Sequence, residues 1–414
     1  MTGRKKTEVL IVGGSFCAVA ALETLMHDGR DVHVRMVCCK GIFEYIPSAL
    51  REMVEPDVTS MTVVPLKNVV RPYGERVELI IDRVVQVEER KAVLASGQVL
   101  EFDFCIIATG VAYSPPIHAT DDPQMGGAAD RSKELMSWLE ELQKARSVLV
   151  VGGGITGVEL VTEIADKFPN KQLVLVSSSP EPLPELPPRA RRATRRHLER
   201  KKIVLFTNAH AEKQDDGSYK INPKDDSREA QVLTPDMCVM CVGGKPNSDV
   251  VGEQYRDRKG KVLVEETLAV QGMNNRVFCS GDVASRVGQH AYWAEFSGFL
   301  VGKNVLLERH GRPLKRYPQD AYGVDFEPMM TAVSLGKRNG VFVIGSIATS
   351  GALVAAMKSL LRMLIMWHVE HRIGGFIYPA SVKLLTWVYS LAHRVNQLLP
   401  FGRSSSAAVP AAAS

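Results

Sequence analysis

Two stretches of this 414-residue chain share one design: VLIVGGSFCAVA (9–20) and VLVVGGGITGVE (148–159). Each is a short apolar, β-branched run, then a glycine turn, then a segment with helical character. An apolar strand closed by glycine and running straight into a helix is half of a βαβ unit, so the chain is committed twice to a parallel sheet covered by helices. At such a turn the helix N-terminus presents unpaired backbone N–H groups, and the helix dipole favours an anion there. Gly152, Gly154 and Gly157 complete G-x-G-x-x-G in the second stretch. The first glycine permits the tight turn, the second lets a pyrophosphate approach the backbone, and the third lets helix and strand pack closely. This predicts dinucleotide binding.

The first stretch departs from that pattern. Gly13 opens it, but Ser15 stands at the second position and Ala18 at the third. A methyl at the third position still allows helix–strand packing. Ser15 puts a Cβ towards the pyrophosphate while offering a hydroxyl to it. The carboxylate that commonly holds an adenosine ribose at the end of the next strand is also missing: Cys38 and Cys39 stand there in the first unit, Ser177 to Ser179 in the second. With no acid to repel a 2′-phosphate at Ser177, NADPH is admitted alongside NADH.

The two units lie about 140 residues apart, roughly one domain length. Strand signals follow the first at 31–37, 76–89, 91–95 and 102–110, and a proline- and glycine-rich connector leads to a predicted helix over 131–145. The second unit continues with a strand at 172–177 and ends in MCVMCVGGKPN (237–247), after which 260–285 reads as a strand pair leading into a Gly-Asp turn. The expected fold is α/β, two doubly wound Rossmann-like domains with an α-rich C-terminal cap. The expected boundaries are 1–115 with 250–315 for a discontinuous first nucleotide-binding domain, 116–249 for a second, 316–402 for the C-terminal region, and 403–414 for a disordered tail.

Composition narrows the function classes. The chain is 45% hydrophobic and 23% charged with a formal charge of +5, so nothing points to nucleic acid. Seven cysteines, odd in number and set mostly in apolar runs, suit a reducing compartment and not a disulfide framework. CVMC (238–241) lies in an extended run, where residues three apart face opposite ways, and this disfavours thiol–disulfide chemistry. No metal-ligand cluster is expected. The basic start runs directly into the first strand, which leaves no room for a signal peptide, and Gly3 is misplaced for myristoylation.

The succession GGSFCA, IIATG (106–110), GGGITGVE, VGGKPN and SGD (280–282) resembles that of flavoproteins with two dinucleotide-binding domains. SALREMV (48–54), AYWA (291–294), RPLKRY (312–317) and AVSLGKRNGV (332–341) resemble the ferroptosis-suppressor and apoptosis-inducing-factor-like branch, relatives of type II NADH dehydrogenases. The likeness runs from residue 8 to about 345. It implies that FAD takes hydride from NADH or NADPH and passes electrons to a quinone at a membrane surface. It implies an FAD site of Gly13, Gly14, Ser15, Ala18, Cys38, Lys40, Arg51 and Val85, with Ala108, Thr109 and Gly110 of the second signature. Gly281, Asp282, His290 and Ala291 complete that set, Asp282 towards the ribityl chain and the helix start at His290 towards the flavin's pyrimidine end. The NAD(P)H site would comprise Gly152, Gly154, Ile155, Thr156, Gly157, Ser177, Gly243 and Gly244. Glu159 would lie at the flavin–nicotinamide junction as the catalytic residue, whereas Glu163, one turn on, reads as helix surface or packing.

Three basic or amphipathic segments remain. PPRARRATRRHLERKK (187–202) reads as a solvated helix, or else as a contact for anionic lipid or for an NADPH phosphate. In SVKLLTWVYSLAHRVNQLL (381–399), Lys383, Thr386, Ser390, Arg394 and Gln397 share one helical face and Leu384, Val388, Leu391, Val395 and Leu398 the other. GALVAAMKSLLRMLIMWHV (351–369) sets Lys358 and Arg362 against an apolar body, and these two charges disfavour a spanning helix. Both helices are expected to lie in a membrane surface, which predicts a cytoplasmic, peripherally attached protein or one on a mitochondrial membrane. A homodimer is a further expected partner. Two alternatives stay open: a soluble monodehydroascorbate- or ferredoxin-type reductase, and a weakly catalytic, nucleotide-sensing flavoprotein of the apoptosis-inducing-factor type.

Overall fold

Strand Thr7–Val12 is buried almost throughout, as a strand must be when helices cover both faces of its sheet. In the computed structural model, which describes residues 6–114, 116–225, 229–327, 329–373, 375, 377–381, 384 and 387, it is the centre of a five-stranded parallel sheet. The order is Val277–Cys279, Phe104–Ile107, Thr7–Val12, Val32–Cys38, Val77–Ile81. The helices are α1 (Phe16–Asp28), α2 (Ala49–Glu52), α3 (Leu66–Val70), α4 (Ala128–Lys144), α5 (Ile155–Lys167), α6 (Pro188–Arg200), α7 (Ala291–Arg309), α8 (Gln319–Tyr322) and α9 (Ala352–Val369). Helix α7 lies on α1 at glycine distance: a Cβ on Gly298 would stand 2.5 Å from the Cys17 carbonyl oxygen, and one on Gly302 2.8 Å from the Thr24 Cβ. Larger residues there would push apart the two helices whose N-termini face the first glycine turn.

A second, four-stranded parallel sheet has the order Val204–Phe206, Gln172–Val176, Ser147–Val151, Met237–Met240, with α5 following Ser147–Val151. The chain then returns to the first sheet, where Val277–Cys279 pairs with Phe104–Ile107.

Three sequence expectations change. The single strand at 76–89 is two: Val77–Ile81 ends the five-stranded sheet, and Val84–Val87 opens a separate antiparallel meander. The break falls at Asp82, whose carboxylate accepts the backbone N–H of Arg83 and of Ser96 and so turns the chain. The pair at 260–285 is a set of isolated bridges around Val277–Cys279. The C-terminal region carries a three-stranded antiparallel sheet, Met330–Ser334, Gly340–Ile344 and Ile347–Ser350, before its helix. Val333, Val341 and Val343 of that sheet share a buried core with residues of α5 and α6. The helix expected at 381–399 lies outside the described residues except for Ser381, Leu384 and Trp387, and the tail at 403–414 lies wholly outside them.

Candidate active site

The two glycine turns superimpose in their logic. Gly13 has φ +129° and Gly152 φ +126°, a region that side chains rarely enter. A Cβ on either would also stand 2.3 Å from the Ala108 carbonyl oxygen or 2.2 Å from that of Cys241. The next glycine packs beneath the turn: a Cβ on Gly14 would meet the Cys38 sulfur at 2.9 Å, and one on Gly153 the Ser177 hydroxyl at 2.2 Å. Cys38 and Ser177 thus fill equivalent places, each at or just past the end of its strand. The thiol of Cys38, hydrogen-bonded to Cys39, is drawn down to about 7.

Ser15 and Gly154 are the N-caps of α1 and α5, with φ −107° and −78°. Both angles are ordinary for any residue, and a Cβ built on Gly154 meets nothing within 4 Å. Neither backbone demands glycine, so this position is set by what lies outside the turn. Ser15 is exposed and makes no capping bond with its own helix. At the third position a Cβ on Gly157 would stand 1.9 Å from the Gly152 carbonyl oxygen, whereas Ala18 is fully buried in α1.

The remaining signatures converge on the turns. Thr109 donates its hydroxyl to the Asn247 carbonyl at 2.7 Å, and Asn247 returns its amide to the Thr109 carbonyl at 2.9 Å. IIATG, with Ala108 and Gly110, is thereby clamped to VGGKPN, where Gly244 approaches Ala112 too closely for a side chain and Gly243 has φ +99°. Gly281 (φ +74°) presents Asp282 beside the first turn's helix, since a Cβ on Gly281 would lie 3.2 Å from that of Cys17. His290 caps α7 ahead of Ala291 and stacks edge-on to Trp293 at 4.2 Å. Burial pushes the His290 imidazole down to about 4, so at neutral pH the ring is uncharged and the positive potential there is the helix's own. Lys40 lies beside Cys38 and donates its ammonium to the Ala119 carbonyl at 3.2 Å, and Val85 is 45% exposed on the meander strand.

The residues present fit FAD. The Oδ1 of Asp282 is shielded from solvent and has no hydrogen-bond partner among the described residues. Burial raises this carboxyl to about 6, with Lys261 drawing it down and Glu327 pushing it up. An unsatisfied buried carboxylate costs stability unless a ligand's hydroxyl meets it.

Beside the second turn lies a cleft of about 410 Å³, open to solvent, whose lining includes Pro47, Arg51, Glu159, Glu163, Lys358 and Arg362. Glu159 Oε1 accepts from the Lys358 ammonium at 2.6 Å and from the Ser334 N–H at 2.6 Å, and Lys358 also reaches the Ser334 hydroxyl at 2.9 Å. Glu163 is not helix surface. It is 4% exposed and accepts from Arg51 at 2.6 Å, and burial raises its carboxyl while Arg51 draws it down. Arg51 also donates to the Gly336 carbonyl at 3.2 Å. Lys358 and Arg362 of α9 face the cleft, where Glu159 supplies the counter-charge to Lys358, and Leu353, Ala356, Leu360 and Met363 form the outward stripe. Sequence reasoning missed Lys358 and Ser334 as site residues. The available signal was a lone lysine in an apolar helix, which requires a counter-ion when it is buried.

Residues 7–298 match the family model described as pyridine nucleotide-disulphide oxidoreductase. The chain belongs to that family. FAD and NAD(P)H are its cofactors. Mouse ferroptosis suppressor protein 1 is 27% identical over 359 residues, 85% of this chain and 92% of that one. Among solved structures, the sulfide:quinone oxidoreductase of Aquifex aeolicus is similar at a TM-score of 0.72, with 14% identity, covering 88% of this chain and 92% of that one. NDH2 of Plasmodium falciparum, solved with NADH, reaches 0.70 with 13% identity over 92% and 98% of the two chains. These structural likenesses bear on the fold.

Proposed function

We propose that this protein oxidises NADH or NADPH and reduces a quinone at a membrane surface. The observation that carries this reading is the double duty of α9. One helix brings Lys358 against Glu159 in the cleft and turns Leu353 (84% exposed), Leu360 (52%) and Met363 (36%) outwards. Ile373, Ile377, Leu384 and Trp387 extend the exposed apolar surface beyond it. At 18 residues α9 is long and apolar enough to cross a bilayer by length and composition. Its Val354, Ile365, Met366 and Val369 are instead buried, so it would lie along the surface and dip its outer stripe into lipid. Full burial of each large apolar side chain is worth about 1.5–3 kcal/mol, so three suffice for reversible docking. A redox cleft and a lipid-facing stripe on one helix suit an acceptor dissolved in the membrane. The printed name of the sulfide:quinone oxidoreductase among the similar structures supports the choice of a quinone as acceptor.

In this reading Gly13 to Ser15, the α1 N-terminus and Asp282 hold FAD, and Gly152 to Gly157 with the α5 N-terminus hold the nicotinamide nucleotide. Bound FAD supplies two-electron chemistry, taking electrons from reduced nicotinamide and releasing them to the acceptor. Glu159, fixed by Lys358 and the Ser334 N–H, orients the nicotinamide from the second turn of α5. The test is to purify the protein, record its visible spectrum, and follow NADH and NADPH oxidation with a water-soluble quinone and with a long-tailed quinone in vesicles. L353E/L360E/M363E is expected to lose vesicle binding and long-tailed quinone turnover while keeping soluble-quinone turnover. A yellow protein that oxidises neither nucleotide would favour the nucleotide-sensing alternative.

A further inference from the structure

A second polar cluster lies where α9 and the segment after it meet α1 and α7. Glu295, in the second turn of α7, is 7% exposed and accepts a hydrogen bond from the Tyr378 hydroxyl. His368 of α9 faces Glu23 of α1, with Nε2 at 3.0 and 3.1 Å from its two carboxylate oxygens, and both side chains are partly exposed. These four residues line one cavity, otherwise apolar, with room for about one water molecule. Tyr45 lies on the inner side, 3% exposed, in ring contact with Phe16 at 5.9 Å and within electrostatic reach of both Glu295 and Glu159. Tyr292, in the first turn of α7, is within reach of Tyr378. Proton-carrying groups therefore run from partly exposed Glu23 and His368 to the α7 N-terminus and towards the Glu159 cleft.

We propose that Glu295 is a relay residue that passes protons from Glu23 and His368, through a bridging water, by way of Tyr378 towards the acceptor side of the flavin site. The proposal rests on the quinone reading above. The overall reaction is NAD(P)H + quinone + H⁺ giving NAD(P)⁺ + quinol: the nicotinamide loses two electrons and one proton as a hydride equivalent, the quinone gains two electrons and two protons, and the second proton comes from solvent. Ferricyanide accepts one electron and no proton, so its reduction needs no inward delivery. A buried carboxylate is expensive where an apolar side chain would fill the space, which points to use and not to packing. Burial raises Glu295 to about 7, with Tyr378 and His368 drawing it down and Glu23 pushing it up. Burial works against the charge on His368, but its pairing with Glu23 prevails and raises it. Tyr322 is the other titratable group in reach of Glu295. Glu295 can thus gain and lose a proton near neutrality, and His368 holds its proton more firmly than a free imidazole does.

The experiment compares wild-type holoenzyme with E295Q, E295D and Y378F. Infrared difference spectra between about pH 6 and about pH 8 should show a protonated-carboxyl band in the wild type that is absent in E295Q, independently of turnover. Quinone reduction by E295Q should fall about 10²-fold with a flattened pH profile, the low end of general acid–base effects. Ferricyanide reduction should stay within about twofold, and E295D should recover much of the quinone rate. Equal loss with both acceptors, in E295Q and in the milder Y378F, would make the cluster a packing element and overturn the relay. Unchanged quinone turnover in E295Q would do the same. Wild-type enzyme that reduces ferricyanide and no quinone would overturn the acceptor reading itself.

Discussion

Removing Lys358 tests whether the cleft is held by the ion pair seen here. The Lys358 and Glu159 side chains are 13% and 7% exposed, so solvent screens their contact at 2.6 Å only weakly. K358M keeps the length and apolar stem of the side chain but strands Glu159 with the Ser334 N–H as its remaining donor. Breaking a buried pair from one side costs about 3–5 kcal/mol, because the surviving charge stays desolvated. The loss falls on the attachment of α9 and the Met330–Ser334 strand to α5. Local opening is the quantity to measure, since a chain with several cores need not unfold in one step. Amide hydrogen exchange across 330–369 should therefore speed up by about two to nearly four orders of magnitude, at 1.36 kcal/mol per decade. The double variant E159Q/K358M removes both charges and should recover most of that protection, while NAD(P)H oxidation stays impaired in both. Wild-type exchange in K358M, or a double variant no better protected than the single one, would refute the argument.

Three further outcomes follow from the two turns and the site between them. Gly154→Val should leave the fold and bound FAD intact, because a Cβ there meets nothing within 4 Å, and should abolish NAD(P)H oxidation; unchanged steady-state kinetics would contradict it. Ser15→Gly should hold FAD as tightly or more tightly by fluorescence titration, whereas Gly13→Ala should fail to fold its domain, with a strained φ and a carbonyl at 2.3 Å. Asp282→Asn should weaken FAD by about 1.5–3 kcal/mol, the worth of a hydrogen bond to a charged group. It should also stabilise the cofactor-free protein: the folded pKa of about 6 lies above the 3.8 of the free group, so the carboxylate's cost is absent below about pH 4 and complete above about pH 6. That cost is roughly 2–3 kcal/mol, read from urea midpoints at pH 7 against pH 4.

The turns were legible in the sequence because their information is local: strand, glycines and helix lie within about twelve residues. The cleft was not. Glu159 and Lys358 are 199 residues apart, and Arg51 and Glu163 are 112 apart. No periodicity reports such pairs; they exist because α2 and α9 both close on α5. The sheet over 330–350 escaped for another reason. Its strands are four or five residues long, and the outer one, Ile347–Ser350, is mostly exposed, so alternation has little room to show. Helix α9 was recognised as amphipathic, but not that its basic face meets Glu159, because a wheel shows which residues share a face and not what that face meets.

In each unit the first glycine is required by φ and by a carbonyl, and the middle one by the side chain beneath it, Cys38 or Ser177. Position 15 and position 154 have ordinary φ, and at position 154 the space beyond the backbone is open, so no packed atom bars a side chain there. A substitution at a position constrained only by a ligand changes affinity and leaves the fold alone, whereas one at Gly13 or Gly14 strikes backbone or packed atoms. Ser15 is therefore the one departure of its kind that the first unit can tolerate while remaining a phosphate-binding turn. Ala18 is a separate departure: its methyl is buried in the α1 core, whereas a Cβ on Gly157 would stand 1.9 Å from the Gly152 carbonyl oxygen, so the first unit makes room at its third position that the second does not.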